Sequence, residues 1–490
     1  MRVHSIDRRK LSGDPLPFPT GEFHDPAETV AVFDRLGLPD GFPFVLDDDG
    51  RADGCHFLNQ YLLDAWDQRA FALDSVRRFH IYNLGRFLRS LRAARADAHA
   101  ANAGVSTEQW LAENGEPKVD LTDATRYDLV AYRDARALLL EPSSLRTEMG
   151  CISAFYRYAH QRGWIATDPV PRWGQANRNT LLPRTRRARV EKFLSEAQTR
   201  HFLEAGLRGD GPVTDGAPAF PERDYVFGLL LATTGLRREE AGLLLDGEIP
   251  TLPLMPPSGV DRLVRRGKGG VSRSVYVTTE LVSALTLYRN VERPAIIEAA
   301  QPRLRRMRRE GQLFVVDDVT VRNGALVLRR VKANIIAERL PDEDRARAVQ
   351  VLPDGRIEPL GLFLARGGLP PAIAYWNEIF ADARDRVDAY GSADRPPAHI
   401  TVAPHTMRHT FAVRMLAALM REGEDRANDP YFLLVNPLLT VQQLLGHASV
   451  ETTQQYLFAA ENWHEELPTT LRRAAAELVT ASRPAEGVDA

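Results

Sequence analysis

Two arginines, three histidines, a lysine and a tyrosine stand out in this 490-residue sequence by type and spacing. They fall in four short islands. The first is Thr234-Gly235-Leu236-Arg237-Arg238-Glu239-Glu240. An apolar helical run (Tyr225, Val226, Leu229, Leu230) leads into Gly235, which can end it. A second helix carrying Ala241, Leu244 and Leu245 then begins, so Arg237 sits at a helix junction with Glu240 one turn on. The second island, Arg266-Gly267-Lys268-Gly269-Gly270, lies between strand-like runs and reads as a hairpin with a lysine near its tip. In the third, Pro404 precedes His405-Thr406-Met407-Arg408-His409, and Met407, Phe411 and Met415 mark a helix. His405 and Arg408 share a face of that helix. In the fourth, Leu444-Leu445-Gly446-His447-Ala448-Ser449, a helix ends at Gly446. Ser449 can cap the next helix, which carries Tyr456 in its second turn.

These side chains suit an anionic substrate. Guanidiniums grip pairs of anionic oxygens bidentately, and lysine does not replace them well. A tyrosine hydroxyl, with a pKa near ~10, needs a proton acceptor or a cationic site before it attacks at neutral pH. His405 and His409, four apart, raise a zinc reading, but the zinc-peptidase pattern needs glutamate where Thr406 stands. A guanidinium between the two would also repel a metal, so no metal and no cofactor are expected. Taken singly, each island also fits ordinary structure: a surface ion pair, a glycine turn, two packed core histidines, a packed tyrosine.

The elements that must position these residues emerge from periodicity. Residues 1–60 are rich in Pro, Gly and Asp and read as an N-terminal extension with short structured pieces. From 61 to 171 the pattern is helical. Val76, Phe79, Leu84, Phe87, Leu88 and Leu91 recur at helical spacing, and the Ala-rich stretch ARADAHAANAG is expected to break that helix. Thr122 is a candidate cap for the next helix. Another, from Ser143 or Ser144 to near Gly163, carries Met149, Ile152, Phe155 and Tyr158. Residues 172–192 lack apolar period and read as an extended basic linker carrying Arg172, Arg178, Arg184, Arg186, Arg187, Arg189 and Lys192. From 193 to 465 helices alternate with short strands. Two segments, about 291–357 and 421–437, read as insertions, the first charged and irregular.

Bulk properties narrow the class. The net charge of −2 alone argues against a nucleic-acid binder, yet the linker and a cluster at Arg303, Arg305, Arg306, Arg308 and Arg309 concentrate positive charge. No apolar run approaches a membrane span, and the N-terminus lacks a secretory pattern. Two cysteines in unrelated contexts, Cys55 and Cys151, fit a reducing cytoplasm.

In this order and spacing the islands resemble the catalytic domain of tyrosine recombinases, the phage integrase family. That pattern is Gly-Leu-Arg-x-x-Glu, a hairpin lysine, His-x-x-Arg-His, Leu-Gly-His, and a tyrosine nine residues after that last histidine. Here it is met by Arg237 with Glu240, Lys268, His405 with Arg408 and His409, His447, and Tyr456. The resemblance covers roughly 193–465, and more weakly the helical region before it, as the family's core-binding domain. It implies a mainly α fold with a small antiparallel β-sheet: a helical, SAM-like core-binding domain followed by an α+β catalytic domain. It implies strand cleavage by Tyr456 through a 3′-phosphotyrosine link. Arg237 and Arg408 would stabilise the pentavalent phosphorus, and His405 would act as base or hydrogen-bond partner. His447 would donate to the phosphate and Lys268 would protonate the leaving 5′ oxygen. Glu240 would orient the cluster, and His409 would buttress its helix.

The partner implied is double-stranded DNA, clamped by two domains with the basic linker on its phosphates. The tail at 466–490, with the amphipathic LRRAAAELV, could dock on a neighbouring protomer in a tetramer, with accessory or directionality proteins in attendance. An integrase or transposase-like enzyme of a mobile element, cytoplasmic and nucleoid-associated, is the favoured form. A non-catalytic DNA-binding relative and a topoisomerase IB-like relaxing enzyme remain alternatives.

Overall fold

The computed structural model describes residues 2–457, apart from 12–15, 18–22, 48–54, 69, 71–72, 176, 184–192, 212–215, 267–271, 323, 332, 391–392, 397–399, 426–435, 448 and 455. Lys268, Arg184, Arg186, Arg187, Arg189, Lys192, most of the 421–437 segment and the whole 466–490 tail therefore lie outside the described residues. The chain divides into two compact units, Met1–Arg189 and Val190–Ala490. Both are mainly helical, with sheets of two or three strands. No helix among the described residues is long and apolar enough to cross a membrane.

The first unit opens with β1 (Arg2–Ser5), α1 (Pro26–Arg35) and β2 (Pro43–Leu46), followed by α2 (His56–Asp67), α3 (Ile81–Ala103), α4 (Arg126–Ala137) and α5 (Pro142–Gln161). β1 and β2 pair antiparallel. Residues 1–60 are more than an extension. Ile6, Leu38, Phe42, Val45 and Leu58 pack into one core with Leu84, Leu88, Met149, Ile152 and Phe155. The Ala-rich stretch does not break α3, which runs through it to Gly104 at φ 68°. Alanine is the best helix former, and burial of Ala96 and Ala100 ties that segment to the unit. The cap expected at Thr122 sits one turn later. Thr125 and Asp128 form a capping box on α4, while Asp120 caps the short turn at Leu121–Asp123.

The linker expectation also changes. Residues 172–183 fold onto the first unit as a two-stranded hairpin, β3 (Arg172–Trp173) with β4 (Arg178–Asn179), followed by Leu181 in the core. Arg172 is engaged with Asp168 at 2.9 Å, and Arg178 is exposed.

In the second unit α6 (Pro221–Thr234) and α7 (Arg238–Gly242) precede the antiparallel pair β5 (Val260–Arg266) and β6 (Ser272–Thr278). Then come α8 (Thr279–Leu287) and α9 (Arg293–Arg309). Leu230, Leu231, Leu244, Leu263, Val275, Val277, Leu285 and Trp376 share the main core. The stretch read as an irregular insertion is ordered. α9 buries Ile296 and Ile297 in the main core and holds its five-arginine cluster exposed at its C-terminal end, where cations complement the helix dipole. After it come β7 (Phe314–Val316), β8 (Asp318–Arg322), β9 (Ala325–Arg330), β10 (Ala333–Ile336), β11 (Ala348–Val351) and β12 (Ile357–Pro359). They form two three-stranded sheets, β8-β9-β10 and β12-β11-β7, the β11–β7 pair being parallel. α10 (Tyr375–Tyr390), α11 (Pro404–Asp425), α12 (Pro437–Leu445) and α13 (Val450–Gln454) complete the unit.

Candidate active site

The site begins with a glycine. α6 ends at Gly235, whose φ of 65° favours glycine. A Cβ there would also come within 2.4 Å of Phe411 Cδ1 on α11 and 3.0 Å of Leu445 Cδ2 on α12. This close approach brings the first, third and fourth islands together.

Arg237 follows as the N-cap of α7. Its backbone N–H donates to Glu240 Oε2 at 2.9 Å, and its Nη1 to Glu240 Oε1 at 2.9 Å. Glu240 is 6% exposed. It takes two more hydrogen bonds from Arg273 on β6: Nη1 at 3.0 Å and Nη2 at 2.6 Å. Burial pushes the Glu240 carboxyl up, but Arg273 and then Arg237 outweigh it and hold it at about 2.

A second anchor is the C-terminal end of α12, whose last carbonyls have no partner inside the helix. Three arginines take one each. Arg273 Nε donates to Leu444 O at 3.0 Å, Arg408 Nη2 to Leu445 O at 2.5 Å, and Arg237 Nη2 to Gly446 O at 3.2 Å. Arg408 also donates through Nη1 to Gly235 O. The negative end of the helix dipole thus faces three guanidiniums. Gly446 closes α12 at φ 62°, and a Cβ on it would press on Arg273 Cδ at 2.8 Å.

Arg408 is 1% exposed, and both its bonds go to neutral carbonyls. Burial, then the neighbouring Arg237 and Arg273, bring its pKa down to about 9. Three guanidiniums share one carboxylate, so the pocket carries uncompensated positive charge. An anion arriving there would relieve it.

The nucleophile candidate packs against α11. Tyr456 is 4% exposed and packs with Phe411, Ala412, Val413 and Leu416. Its ring centroid is 5.3 Å from that of His409 and 6.1 Å from that of His447, the latter nearly parallel. His405 is in turn 4.4 Å from His409. Tyr456 is not in the second turn of a capped helix as expected. α13 ends at Gln454, and Tyr456 follows in a turn, its N–H donating to Thr453 O at 2.9 Å. His447 Nδ1 lies 2.9 Å from the hydroxyl of Thr453, which is fully buried. Burial, then Arg408, Arg237 and Arg273, bring His447 down to about 4, so it is neutral at pH 7.

The fold therefore gathers Arg237, Glu240, His405, Arg408, His409, His447 and Tyr456 around the ends of α6, α11 and α12. Lys268 lies outside the described residues, between strands β5 and β6 that are described. Two participants escaped the sequence reading. Arg273 shares the buried face of β6 with Val275 and Val277, and a charged residue in that alternation was the available signal. Thr453, three residues before Tyr456, gave none. Among the described residues no group of three or more His, Cys, Asp or Glu side chains is placed to hold a metal ion.

No protein-family model matches the chain. In sequence it is 26% identical over 391 residues to the tyrosine recombinase XerD of Agrobacterium fabrum, covering 78% of this chain and 92% of that one. It is 23% identical over 359 residues to the tyrosine recombinase XerC of Lactobacillus delbrueckii subsp. bulgaricus, covering 73% and 86%. Among solved structures it is similar to the Tn1549 transposon integrase in complex with circular intermediate DNA, at 18% identity and TM-score 0.39, over 75% of this chain and 94% of that one. It is also similar to a lambda integrase dimer bound to a core site, at 13% identity and TM-score 0.43, over 84% and 96%.

Proposed function

Because this chain belongs to the tyrosine recombinase family, we propose that it is a site-specific DNA recombinase acting through a 3′-phosphotyrosine link at Tyr456. One observation carries the reading: three guanidiniums fixed on a single helix end, two of them also on a single carboxylate, beside a buried tyrosine flanked by two histidine rings.

A phosphodiester anion entering the pocket meets Arg237 and Arg408, each with N–H donors beyond those already engaged. Their positions are set by backbone carbonyls and Glu240, so little reorganisation is needed as charge builds on phosphorus. The Tyr456 oxygen attacks phosphorus while its proton passes to His405, the base or hydrogen-bond partner. The bond from phosphorus to the 5′ oxygen breaks, and Lys268 supplies the proton that oxygen needs. His447, neutral, keeps a proton to donate to a non-bridging oxygen when Thr453 donates to its Nδ1. His409, whose ring neighbours those of both His405 and Tyr456, packs against the phenol. A 5′-hydroxyl from a partner strand then reverses the sequence. One ester replaces another, so the reaction balances without water, nucleotide or metal.

The partner is double-stranded DNA, met by the second unit at this pocket and by Arg178, Arg184, Arg186, Arg187, Arg189 and Lys192 at flanking phosphates. Strand exchange between two duplexes needs several copies of the chain, and a tetramer is the assembly we favour. An integrase or transposase-like role in a mobile element, in the cytoplasm, fits the size of the chain and its added segments. Duplexes nicked near the cleavage point, drawn from the DNA flanking the gene, test the reading by denaturing electrophoresis. The wild-type chain should yield a covalent protein–DNA adduct and Tyr456→Phe none. Retardation without an adduct would instead support a DNA-binding relative that lacks the chemistry.

A further inference from the structure

The backbone of His447 is pinned on both sides by one residue. Its N–H donates to Gln442 O at 3.1 Å, and its carbonyl accepts from Gln442 Nε2 at 3.2 Å. The ring keeps two freedoms: rotation about its side-chain bonds, and the choice of nitrogen that carries the proton. One contact bears on both. Nδ1 lies 2.9 Å from the hydroxyl of Thr453 on α13. The carbonyl of the same threonine accepts from the Tyr456 N–H at 2.9 Å, so a single residue ties the histidine to the turn that carries the phenol. The His447 and Tyr456 rings stand 6.1 Å apart and 19° from parallel.

The direction of the threonine–histidine bond follows from its surroundings. Thr453 is fully buried, and among the described residues its hydroxyl has no partner besides His447 Nδ1. A helical threonine often turns its hydrogen to the carbonyl four residues back, as Thr410 does to Thr406 O at 3.0 Å. Thr453 makes no such bond, so Nδ1 is the one acceptor in reach of its hydrogen. Were Nδ1 protonated, it would donate to the threonine oxygen and leave that buried hydrogen unpaired, which costs more than an idle lone pair. Burial and the nearby arginines bring His447 down to about 4, so at neutral pH the ring has one hydrogen to place. With Nδ1 accepting, that hydrogen sits on Nε2, which no described residue engages.

We infer that Thr453 makes His447 a one-way donor: its hydroxyl fixes the plane of the ring and holds the proton on Nε2, the nitrogen left for a substrate. A bare Nε2 would set a lone pair against an anionic phosphate oxygen, whereas Nε2–H adds a neutral donor to those of Arg237 and Arg408. The same contact occupies the one bare nitrogen, so His447 has none with which to accept the Tyr456 proton, and that work falls to His405. Thr453 is a positioning residue that acts through His447. The inference rests on the reading of His447 as a donor to the phosphate.

The test uses the full chain, first without DNA and then on nicked duplexes. Nitrogen-15 labelling of the twelve histidines, with His447 assigned by the signals lost in His447→Asn, reads the ring directly. At pH 7 the wild type should carry its proton on Nε2 alone, with Nδ1 accepting a hydrogen bond. Thr453→Val keeps the shape and removes the hydroxyl; its Nδ1 signal should move to that of an unbonded nitrogen, and Thr453→Ser should restore it. On nicked duplexes Thr453→Val should form the adduct about tenfold more slowly, the loss typical when the group orienting a histidine is removed, with DNA affinity unchanged. Thr453→Ser should recover most of that rate. In a His447→Ala background Thr453→Val should slow the reaction no further, since it acts through the ring that is gone. A proton on Nδ1 in the wild type overturns the inference, even where Thr453→Val does not fold. So does a Thr453→Val rate equal to wild type, or an equal loss with and without His447. His447→Ala forming adduct at the wild-type rate overturns the reading of His447 as donor, and the inference with it.

Discussion

Replacing Glu240 with glutamine removes one charge from the centre of the site while keeping its shape. The carboxylate accepts four hydrogen bonds, two from Arg237 and two from Arg273. Folding moves its pKa from 4.5 to about 2. At ~1.4 kcal/mol per unit, that depression corresponds to roughly 3 kcal/mol of stability at neutral pH. Because the folded value is the lower one, the contribution is complete above pH 4.5 and is lost as pH falls toward 2. Glutamine carries no such term and turns an N–H toward a guanidinium. Glu240→Gln should therefore be about 3 kcal/mol less stable than wild type at pH 7, with the deficit shrinking toward zero between pH 4.5 and 2. Six tryptophans report on this chain, so urea unfolding should be followed at fluorine-labelled Trp376, buried in the second unit's core. A deficit below about 1 kcal/mol at pH 7, the size of an exposed ion pair, would refute the reasoning, as would one that does not change with pH.

Gly235→Ala combines a positive φ with overlap on Phe411 and Leu445 and should cost about 2–4 kcal/mol, read as a lowered urea midpoint without a change in slope. Arg408→Lys cannot reach both Gly235 O and Leu445 O; adduct formation should fall by about a hundredfold or more while DNA affinity stays within about threefold. His447, held at about 4 by burial and by three arginines, should gain proton affinity when a phosphate enters. DNA binding at pH 5 should then take up protons, seen calorimetrically in buffers of different ionisation enthalpy, and His447→Asn should abolish the uptake. The same depression makes the free protein lose stability as pH falls from 6.5 toward 4, because the unfolded state then binds the extra proton. His447→Asn should flatten that limb.

What was legible in the sequence was local. Gly235 and Gly446 announce helix ends because only glycine takes their backbone angles without strain, and the charged residues beside them are spaced within a turn. What was missed depends on contacts distant in sequence. Arg273 matters because β6 sets it against Glu240, 33 residues away, and against Leu444, 171 residues away. The α12 carbonyls that seat three arginines are backbone atoms and leave no residue signature. The Ala-rich part of α3 lacks large apolar residues, yet alanine's intrinsic preference and the burial of Ala96 and Ala100 keep it helical. Residues 1–60 read by composition as an extension with short structured pieces, but their scattered apolar side chains reach a core supplied by other elements. Nor does the order between α9 and α10 show in the charged sequence there, since the strands are short and β7 pairs with β11 from far along the chain.

The proposed chemistry stands or falls on Tyr456 becoming the covalent link to DNA. The direct measurement is mass spectrometry of the adduct trapped on a nicked duplex, digested to peptides and nucleotides. A nucleotide joined through its 3′ phosphate to Tyr456 is expected. A phosphonucleotide on any other residue, or a 5′ linkage, would contradict it.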